Sequence, residues 1–343
     1  MLYPMIFAPR FVEKMWGGRK LETALGKPLP ADKPIGESWE LYDFPPGVVD
    51  GSKDWVSAKL TNGPLAGKTL HEIVRSHRQE LCGDVKLVST TDAEGGQFPI
   101  LIKFLDAKED LSVQVHPPAE YAATHPGAHV KNEAWYVLQH DPNARLLKGL
   151  RPGVTRGEFE QSIRDGTCEA KLQAIPAKLH DCHYLASGTV HALGAGCLVA
   201  EVQTPSDTTY RVFDFDRVDP STGQLRQLHV KQALECIDFS HAEPPPTPKR
   251  HAASFFTTVS TLARAPQFTI EKVRINEGVQ QALTYGQPVV WVVMAGELSI
   301  GVNNLPQPVV AKAGTTLLLP AEMDQAAVTA LSDVTLLEVT FPV

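Results

Sequence analysis

Leu111-Ser-Val-Gln-Val-His-Pro117 alternates polar and apolar side chains and indicates a β-strand. Successive side chains of a strand point to opposite faces, so Ser112, Gln114 and His116 share one face and the two valines share the other. A polar face of this kind is either a solvated sheet edge or the wall of a functional site. The run by itself leaves both interpretations open.

Most of the remaining chain also reads as short strands separated by turn residues, for example residues 100–105, 134–138 and 197–203, and later residues 289–294 and 334–340. Strands at this spacing are typical of sandwiches and barrels. Three helices are predicted, over Thr69 to Gln79, from Thr155 to a stop at Gly166, and over Gln227 to Ile237. Capping boxes predict where the first two begin. We interpret all three as packing helices without chemistry.

The composition is that of an ordinary globular protein, with 43% apolar and 21% charged residues and a formal charge of −7. This charge disfavours a nucleic-acid partner. No stretch reaches the ~18 apolar residues of a membrane helix, so we expect no membrane partner and a cytoplasmic location. The five cysteines include no C-x-x-C pair. We interpret them as reduced thiols rather than metal ligands.

Two further runs carry polar residues that suit a metal site, Lys131-Asn-Glu133 and Gly188-Thr-Val-His191. Taken separately, a run like the first is more often a surface ion pair, and a histidine like that of the second is more often structural than a ligand. Taken with Gln114 and His116, they provide two oxygen and two nitrogen ligands without a thiolate. Such a set fits Zn²⁺, one ion per chain, with Mn²⁺, Co²⁺ and Fe²⁺ as alternatives.

Charged residues that could bind an anion lie near these runs. Glu201 and Arg211 follow the His191 turn, and arginine suits bidentate phosphate binding or the stabilisation of an oxyanion. Lys103 lies inside the apolar run Leu101-Ile-Lys-Phe104. A charge at such a position is costly unless it is paired or faces a polar pocket.

A proline-rich stretch, Glu243-Pro-Pro-Pro-Thr-Pro248, marks a stiff, extended linker. It divides the chain into a larger domain over residues 1–242 with an N-terminal extension and helical segments, a linker over 243–249, and a smaller domain over 250–343.

The ordered set of motifs resembles the type I mannose-6-phosphate isomerase family. The residues that carry the resemblance are Trp16-Gly-Gly18, Gly36-Glu-Ser-Trp39, Phe98 to Asp106, Leu111 to Pro117, Lys131-x-Glu133, Gly188 to Leu193, and Glu201, Ser206, Asp207 and Arg211. They extend from about residue 10 to residue 217.

The resemblance implies a mainly β bicupin, that is, two jelly-roll β-barrels with a few helices inserted in or packed on the N-terminal part. It implies an isomerase that interconverts mannose 6-phosphate and fructose 6-phosphate through a metal-stabilised enediolate. The partner would be a hexose phosphate, and the protein a monomer or weak homodimer. The second cupin would be metal-free, because no histidine follows His251.

The resemblance also implies roles for individual residues. Zinc would be held by Gln114, His116, Glu133 and His191. Lys103, Ser112 and Lys131 would lie around the sugar phosphate, and Arg211 would be catalytic. Glu201 lies where the family has a proposed base, with a metal-bound water as the rival.

Two other functions remain open at this point. One is another metal-dependent cupin enzyme, an epimerase or an oxygenase, although redox cupins generally have more histidines and open positions. The other is a non-enzymatic regulator that binds sugar phosphate without a working base. Formation of fructose 6-phosphate from mannose 6-phosphate would exclude the regulator.

Overall fold

The computed structural model describes residues 1–49, 51–88, 96–219, 222–240, 251–253 and 257–342. The described residues are mainly β, which confirms the predicted class. The proline-rich linker predicted at 243–249 lies outside the described residues.

The chain up to residue 240 contributes sixteen of the described strands. They are β1 (Met5–Ile6), β2 (Arg10–Gly18), β3 (Ile35–Leu41), β4 (Asp43–Phe44), β5 (Val56–Ser57), β6 (Leu101–Asp106), β7 (Val113–Val115), β8 (Glu133–His140), β9 (Arg145–Leu150), β10 (Leu172–Pro176), β11 (Cys182–Leu185), β12 (His191–Leu193), β13 (Cys197–Gln203), β14 (Tyr210–Phe213), β15 (Val218–Asp219) and β16 (Gln224–Leu225).

The chain after residue 250 contributes the other ten described strands. They are β17 (His251–Ala253), β18 (Thr257–Arg264), β19 (Thr269–Ile275), β20 (Gln280–Ala282), β21 (Val289–Ala295), β22 (Glu297–Gly301), β23 (Val309–Lys312), β24 (Thr316–Leu319), β25 (Ala327–Ala330) and β26 (Val334–Thr340).

Two antiparallel sheets build the N-terminal part. A six-stranded sheet has the order β11-β8-β13-β6-β3-β2, and a five-stranded sheet has the order β10-β9-β12-β7-β14. One apolar cluster joins Leu105, Trp135 and Val199 of the first sheet to Leu146 and Leu193 of the second. The two sheets therefore pack on each other around a shared core, and the polar site described below lies in the same interlayer space.

The other face of the six-stranded sheet is also covered. Phe104, Tyr136 and Ala200 belong to an apolar cluster that continues into the C-terminal sheet through Val290 and Leu336. Strands β3, β6 and β13 are consequently buried at every residue. A strand buried on both faces loses the alternation of a half-exposed one, which explains the continuous apolar run around Lys103.

The C-terminal part repeats this arrangement, with a seven-stranded sheet β1-β24-β21-β26-β19-β18-β17 and a four-stranded sheet β20-β25-β22-β23. It also repeats one polar contact. Trp135 Nε1 donates to Glu201 Oε2 at 2.7 Å in the first part, and Trp291 Nε1 donates to Glu338 Oε2 at 2.8 Å in the second. Strand β1 pairs with β24, Met5 opposite Leu318, so the N-terminus completes a sheet built mostly from the C-terminal part.

The described helices are short. They are α1 (Lys20–Leu25), α2 (Leu70–Ser76), α3 (Arg78–Cys82), α4 (Ala119–Ala122), α5 (Arg156–Arg164) and α6 (Val230–Cys236), with one 3₁₀ turn at Cys168–Lys171. In the part of the chain that the structure covers, each helix is too short or too polar to cross a bilayer.

Capping boxes start two of the helices where the sequence predicts them, at Thr69 with Glu72 and at Thr155 with Glu158. The predicted helix from Thr69 to Gln79 is interrupted, because His77 has φ −136° and ends α2 before α3 begins. The third predicted helix begins at Val230, three residues later than expected.

Candidate active site

Three buried side chains from separate strands converge between the two N-terminal sheets. His116 follows β7, Glu133 begins β8, and His191 begins β12. Each offers a ligand atom, and these atoms all lie within 4.8 Å of one another. His116 is 1% exposed, and both Glu133 and His191 are fully buried.

The hydrogen bonds of the two imidazoles fix which nitrogen faces the cluster. His116 Nδ1 lies 3.1 Å from the carbonyl oxygen of Thr208, and His191 Nδ1 lies 2.8 Å from that of Thr189. A carbonyl only accepts, so each Nδ1 carries the proton and donates. Each Nε2 is therefore left with a lone pair directed at Glu133.

In this arrangement the lone pairs of the two imidazole Nε2 atoms face the two oxygens of the Glu133 carboxylate, and all four atoms are acceptors. Nε2 of His116 lies 3.3 Å from Glu133 Oε2, and Nε2 of His191 lies 3.1 Å from Glu133 Oε1. Burial and the charge of Lys131 lower the pKa of His116 to about 3, which disfavours a proton as the missing positive charge. Within the described chain neither carboxylate oxygen accepts a well-directed hydrogen bond, although Lys131 Nζ lies 2.9 Å from Oε2. A divalent cation between these atoms satisfies all of them, so the residues present fit a metal.

Gln114 lies beside these three residues. It is the cross-strand neighbour of His191 in the pairing of β7 with β12, and its Nε2 lies 3.3 Å from His191 Nε2. The two ends of an amide have the same shape, and their assignment follows the hydrogen-bond network. In the present orientation the amide donates to the lone pair of His191 Nε2, and with a cation present the turned amide would offer its oxygen to the cluster.

A glycine turn positions the candidate ligand His191. Gly188 has φ +86° and its N–H donates to the carbonyl oxygen of His116 at 2.9 Å. This backbone conformation favours glycine, and a Cβ there would lie 3.2 Å from the carbonyl oxygen of Cys236. The turn therefore ties the chain before β12 to the residue that follows β7.

A cavity of about 230 Å³ opens beside the cluster. Its lining is strongly charged and includes every predicted substrate-binding and catalytic residue. The lining residues are Lys14, Trp16, Glu37, Lys103, Leu105, Leu111, Ser112, Gln114, Lys131, Trp135, Glu201, Asp207, Thr209, Arg211 and Arg226. Four larger cavities elsewhere, of about 360, 430, 800 and 890 Å³, are lined by none of the predicted site residues.

One wall of the cavity is a row of side chains across four neighbouring strands. The register places Trp39 beside Lys103, Lys103 beside Glu201, and Glu201 beside Trp135. Lys103 Nζ lies 3.7 Å from Glu201 Oε1 and 3.5 Å from Glu37 Oε2. It also lies over the Trp39 ring, 4.8 Å from the centroid.

The charges of this wall shift the pKa values of its residues in opposite directions. Burial opposes the charged form of Lys103, but Glu37 and Glu201 outweigh it and raise its pKa. Burial also opposes charge on Glu37, where Lys103 and Lys14 hold the pKa well below the usual range. The pKa of Glu201 is raised by burial and by the nearby Glu133. Glu201 is therefore the carboxylate of this wall best suited to take up a proton.

Arg211 lies on the opposite wall, beside the metal cluster. It is the cross-strand neighbour of Gln114 in the pairing of β14 with β7. Its Nη1 donates to the carbonyl oxygen of Gln227 at 2.8 Å, whereas its buried Nε has no hydrogen-bond partner among the described residues. The guanidinium thus keeps a donor available for a ligand in the cavity.

Sequence reasoning assigned no role to four charged residues of the cavity, namely Lys14, Glu37, Asp207 and Arg226. Glu37 had a usable signal, because it is a carboxylate inside a strand that is otherwise buried. Lys14 and Arg226 had none, since each is a cation in a stretch of sequence that mixes polar and apolar residues.

Comparisons with known proteins bear on the family to which the chain belongs. The family described as phosphomannose isomerase type I, catalytic domain, matches residues 5–147. The probable mannose-6-phosphate isomerase GmuF of Bacillus subtilis is 35% identical over 95% of this chain and 96% of its own length. A mannose-6-phosphate isomerase of Streptococcus mutans is 33% identical over 93% of each chain.

Solved structures of other proteins share the fold of this chain. The crystal structure of the mannose 6-phosphate isomerase from Bacillus subtilis superposes with a TM-score of 0.85 at 30% identity, over 98% of this chain and 99% of that one. The structure of a putative mannosephosphate isomerase from Archaeoglobus fulgidus, at 19% identity and a TM-score of 0.72, shares the fold. With 35% identity to GmuF along almost its entire length, the chain belongs to the type I mannose-6-phosphate isomerase family.

Proposed function

We propose that the protein interconverts mannose 6-phosphate and fructose 6-phosphate as an aldose–ketose isomerase. The observation that carries the proposal is the buried His116–Glu133–His191 cluster beside a cavity lined by both lysines and arginines. The cluster fits a divalent cation, and the cavity fits a phosphorylated sugar. Membership of the isomerase family supports the same reaction.

We propose Zn²⁺ as the metal, one ion per chain, with Gln114, His116, Glu133 and His191 as its ligands. Two imidazole nitrogens and two oxygens, without a thiolate, are a set that suits this borderline ion. When bound, the cation supplies positive charge beside O1 and O2 of the sugar, where negative charge develops during isomerisation.

The chain's own side chains account for the proton transfer. Glu201 removes the proton from C2 of the open-chain aldose, the electron pair forms the C1–C2 double bond, and negative charge moves onto O1. The proton of the O2 hydroxyl passes to O1, and Glu201 returns its proton to C1 to give the ketose. Trp135 Nε1, which donates to Glu201 Oε2 at 2.7 Å, holds the carboxylate in place throughout.

The remaining lining residues bind and orient the substrate. Arg211 directs its guanidinium at the developing oxyanion from beside Gln114. Lys103, Ser112 and Lys131 contact the sugar phosphate and fix the reacting carbons in position. The rings of Trp16 and Trp135 keep the cavity poor in water.

We further propose that residues 1–242 form the catalytic cupin, with its helical segments, and residues 250–343 a second, metal-free cupin joined through the linker at 243–249. The paired sheets of both parts and the repeated tryptophan–glutamate contact support two related barrels. All five cysteines are free thiols, which supports a reducing, cytoplasmic location.

The activity is tested by incubating the purified protein with mannose 6-phosphate and measuring fructose 6-phosphate in a coupled assay. We expect turnover that stops on treatment with a strong chelator and returns on addition of one equivalent of Zn²⁺. Glucose 6-phosphate and free mannose serve as comparison substrates. Protein that contains one metal ion per chain and forms no fructose 6-phosphate would contradict the proposal.

A further inference from the structure

The three lysines of the cavity are each already compensated by a carboxylate. Lys14 Nζ lies 3.0 Å from Glu37 Oε1, and Lys131 Nζ lies 2.9 Å from Glu133 Oε2. Lys103 contacts two carboxylates, those of Glu37 and Glu201, at 3.5 and 3.7 Å. Each ammonium group on this side of the cavity therefore already has a carboxylate partner.

The arginines on the other side are not balanced in this way. Arg217 and Arg226 both contact the carboxylate of Asp214, and Arg211 lies close enough for these three charges to act on it. Arg217 takes the close contact, with Nη2 2.5 Å from Asp214 Oδ1. Arg226 Nη1 lies 3.3 Å from each of the two oxygens, at the long end of hydrogen-bond distances.

Of these three arginines, Arg211 and Arg226 line the cavity, and they lie at different places in it. Arg211 is the cross-strand neighbour of the candidate ligand Gln114. Arg226 follows β16 and contacts Asp214, just beyond the end of β14. The contact of Arg211 Nη1 with the carbonyl oxygen of Gln227 ties the backbone next to Arg226 to Arg211. Both guanidinium groups thus line the cavity from connected backbone segments, and Arg211 lies next to the candidate metal ligand Gln114.

We propose that Arg226 binds the phosphate of the substrate. The inference rests on the proposed isomerase function, because it uses the orientation in which C1 and C2 face the metal cluster. The phosphate on C6 is then at the other end of the carbon chain, away from the compensated lysines. A sugar phosphate carries close to two negative charges near neutral pH, and Arg226 is the arginine of the cavity lining that is not already assigned to the reacting oxygens. The planar fork of a guanidinium suits a phosphate, and the loose contact with Asp214 positions Arg226 without using all of its donors.

The cations of the cavity then have different roles in substrate binding. Arg226 selects for a phosphorylated substrate by binding the phosphate group. Lys103, Ser112 and Lys131 contact the sugar portion of the same molecule. Arg226 is therefore a specificity-determining residue, and its loss should weaken binding rather than slow the chemical step.

The test compares wild type with Arg226→Gln, Arg226→Lys and, as a matched control, Arg164→Gln. Arg164 is an exposed arginine on α5 that pairs with Glu160 at 2.8 Å, far from the predicted site residues in sequence and outside the cavity lining. For Arg226→Gln we expect the KM for mannose 6-phosphate to rise about tenfold or more, from the loss of charged hydrogen bonds, with kcat close to wild type. Arg226→Lys keeps the charge without the fork and should lie between the two, whereas Arg164→Gln should behave as wild type.

A second measurement follows binding without turnover. A hexitol 6-phosphate, which has no carbonyl and cannot isomerise, is titrated while the fluorescence of Trp16 and Trp135 in the cavity wall is recorded. Its Kd should rise in Arg226→Gln in parallel with KM, with metal content and thermal unfolding unchanged. A KM and Kd within twofold of wild type, or a fall in kcat at constant KM, would overturn the role of Arg226. An inactive wild type would instead refute the isomerase function, and the titration would still show whether Arg226 binds the phosphate.

Discussion

His116→Ala is expected to yield folded protein that carries no stoichiometric metal and has no measurable isomerase activity. The substitution removes one of two imidazole nitrogens from a cluster whose atoms lie within 4.8 Å of one another. Loss of a residue that merely supports a metal ligand weakens binding by about 10- to 100-fold, and loss of a ligand should exceed that. Elemental analysis of the purified variant and the coupled assay measure the two effects.

The control for this prediction is His140→Ala. His140 ends β8, the strand that begins with the candidate ligand Glu133, but it is absent from the cavity lining and contacts the backbone of Asp141. It should keep both the metal and the activity. Circular dichroism of His116→Ala confirms that the fold is retained. A His116→Ala protein that still binds one ion per chain tightly would remove His116 from the ligand set.

Arg211→Ala is expected to lower kcat by about 10²-fold with a smaller change in KM, as found when a donor to a developing oxyanion is removed. The buried Nε of Arg211 lacks a hydrogen-bond partner among the described residues, and the side chain is next to Gln114 across the strand pair. A donor held there without a protein partner can respond when charge appears on the substrate. Steady-state kinetics with mannose 6-phosphate measure the split between kcat and KM.

Arg211→Lys is the matched variant, because it retains positive charge but not the geometry of the guanidinium. We expect it to recover only part of the lost kcat. An unchanged kcat together with a raised KM in Arg211→Ala would assign Arg211 to substrate binding alone. That outcome would make it a partner of Arg226 in holding the phosphate.

Much of this site was visible in the sequence because local alternation determines which side chains share a face. Ser112 and Gln114 lie two residues apart around β7, and the structure places both in the wall of one cavity. Lys103 stood out as a charge in an apolar run, and the structure pairs it with Glu37 and Glu201. Such signals arise whenever a polar group is buried at a cost that a partner must offset.

The residues that sequence reasoning missed depend on contacts between distant strands. Lys14 lies at the site because its strand, β2, pairs with β3. Arg226 lies there because it contacts Asp214, which holds the segment after β16 close to the end of β14. The pairing of β1 with β24, Met5 opposite Leu318, joins residues from opposite ends of the chain. No local pattern of hydrophobicity reports which strands become neighbours, so these features required the structure.

One divalent cation is proposed to bind to four residues, Gln114, His116, Glu133 and His191. X-ray absorption on protein reconstituted with one equivalent of Zn²⁺ tests it most directly. We predict a first coordination shell of nitrogen and oxygen atoms alone at about 2.0–2.2 Å, with the outer-shell scattering of two imidazoles. A sulfur shell at about 2.3 Å, or the absence of a stoichiometric ion, would contradict the claim.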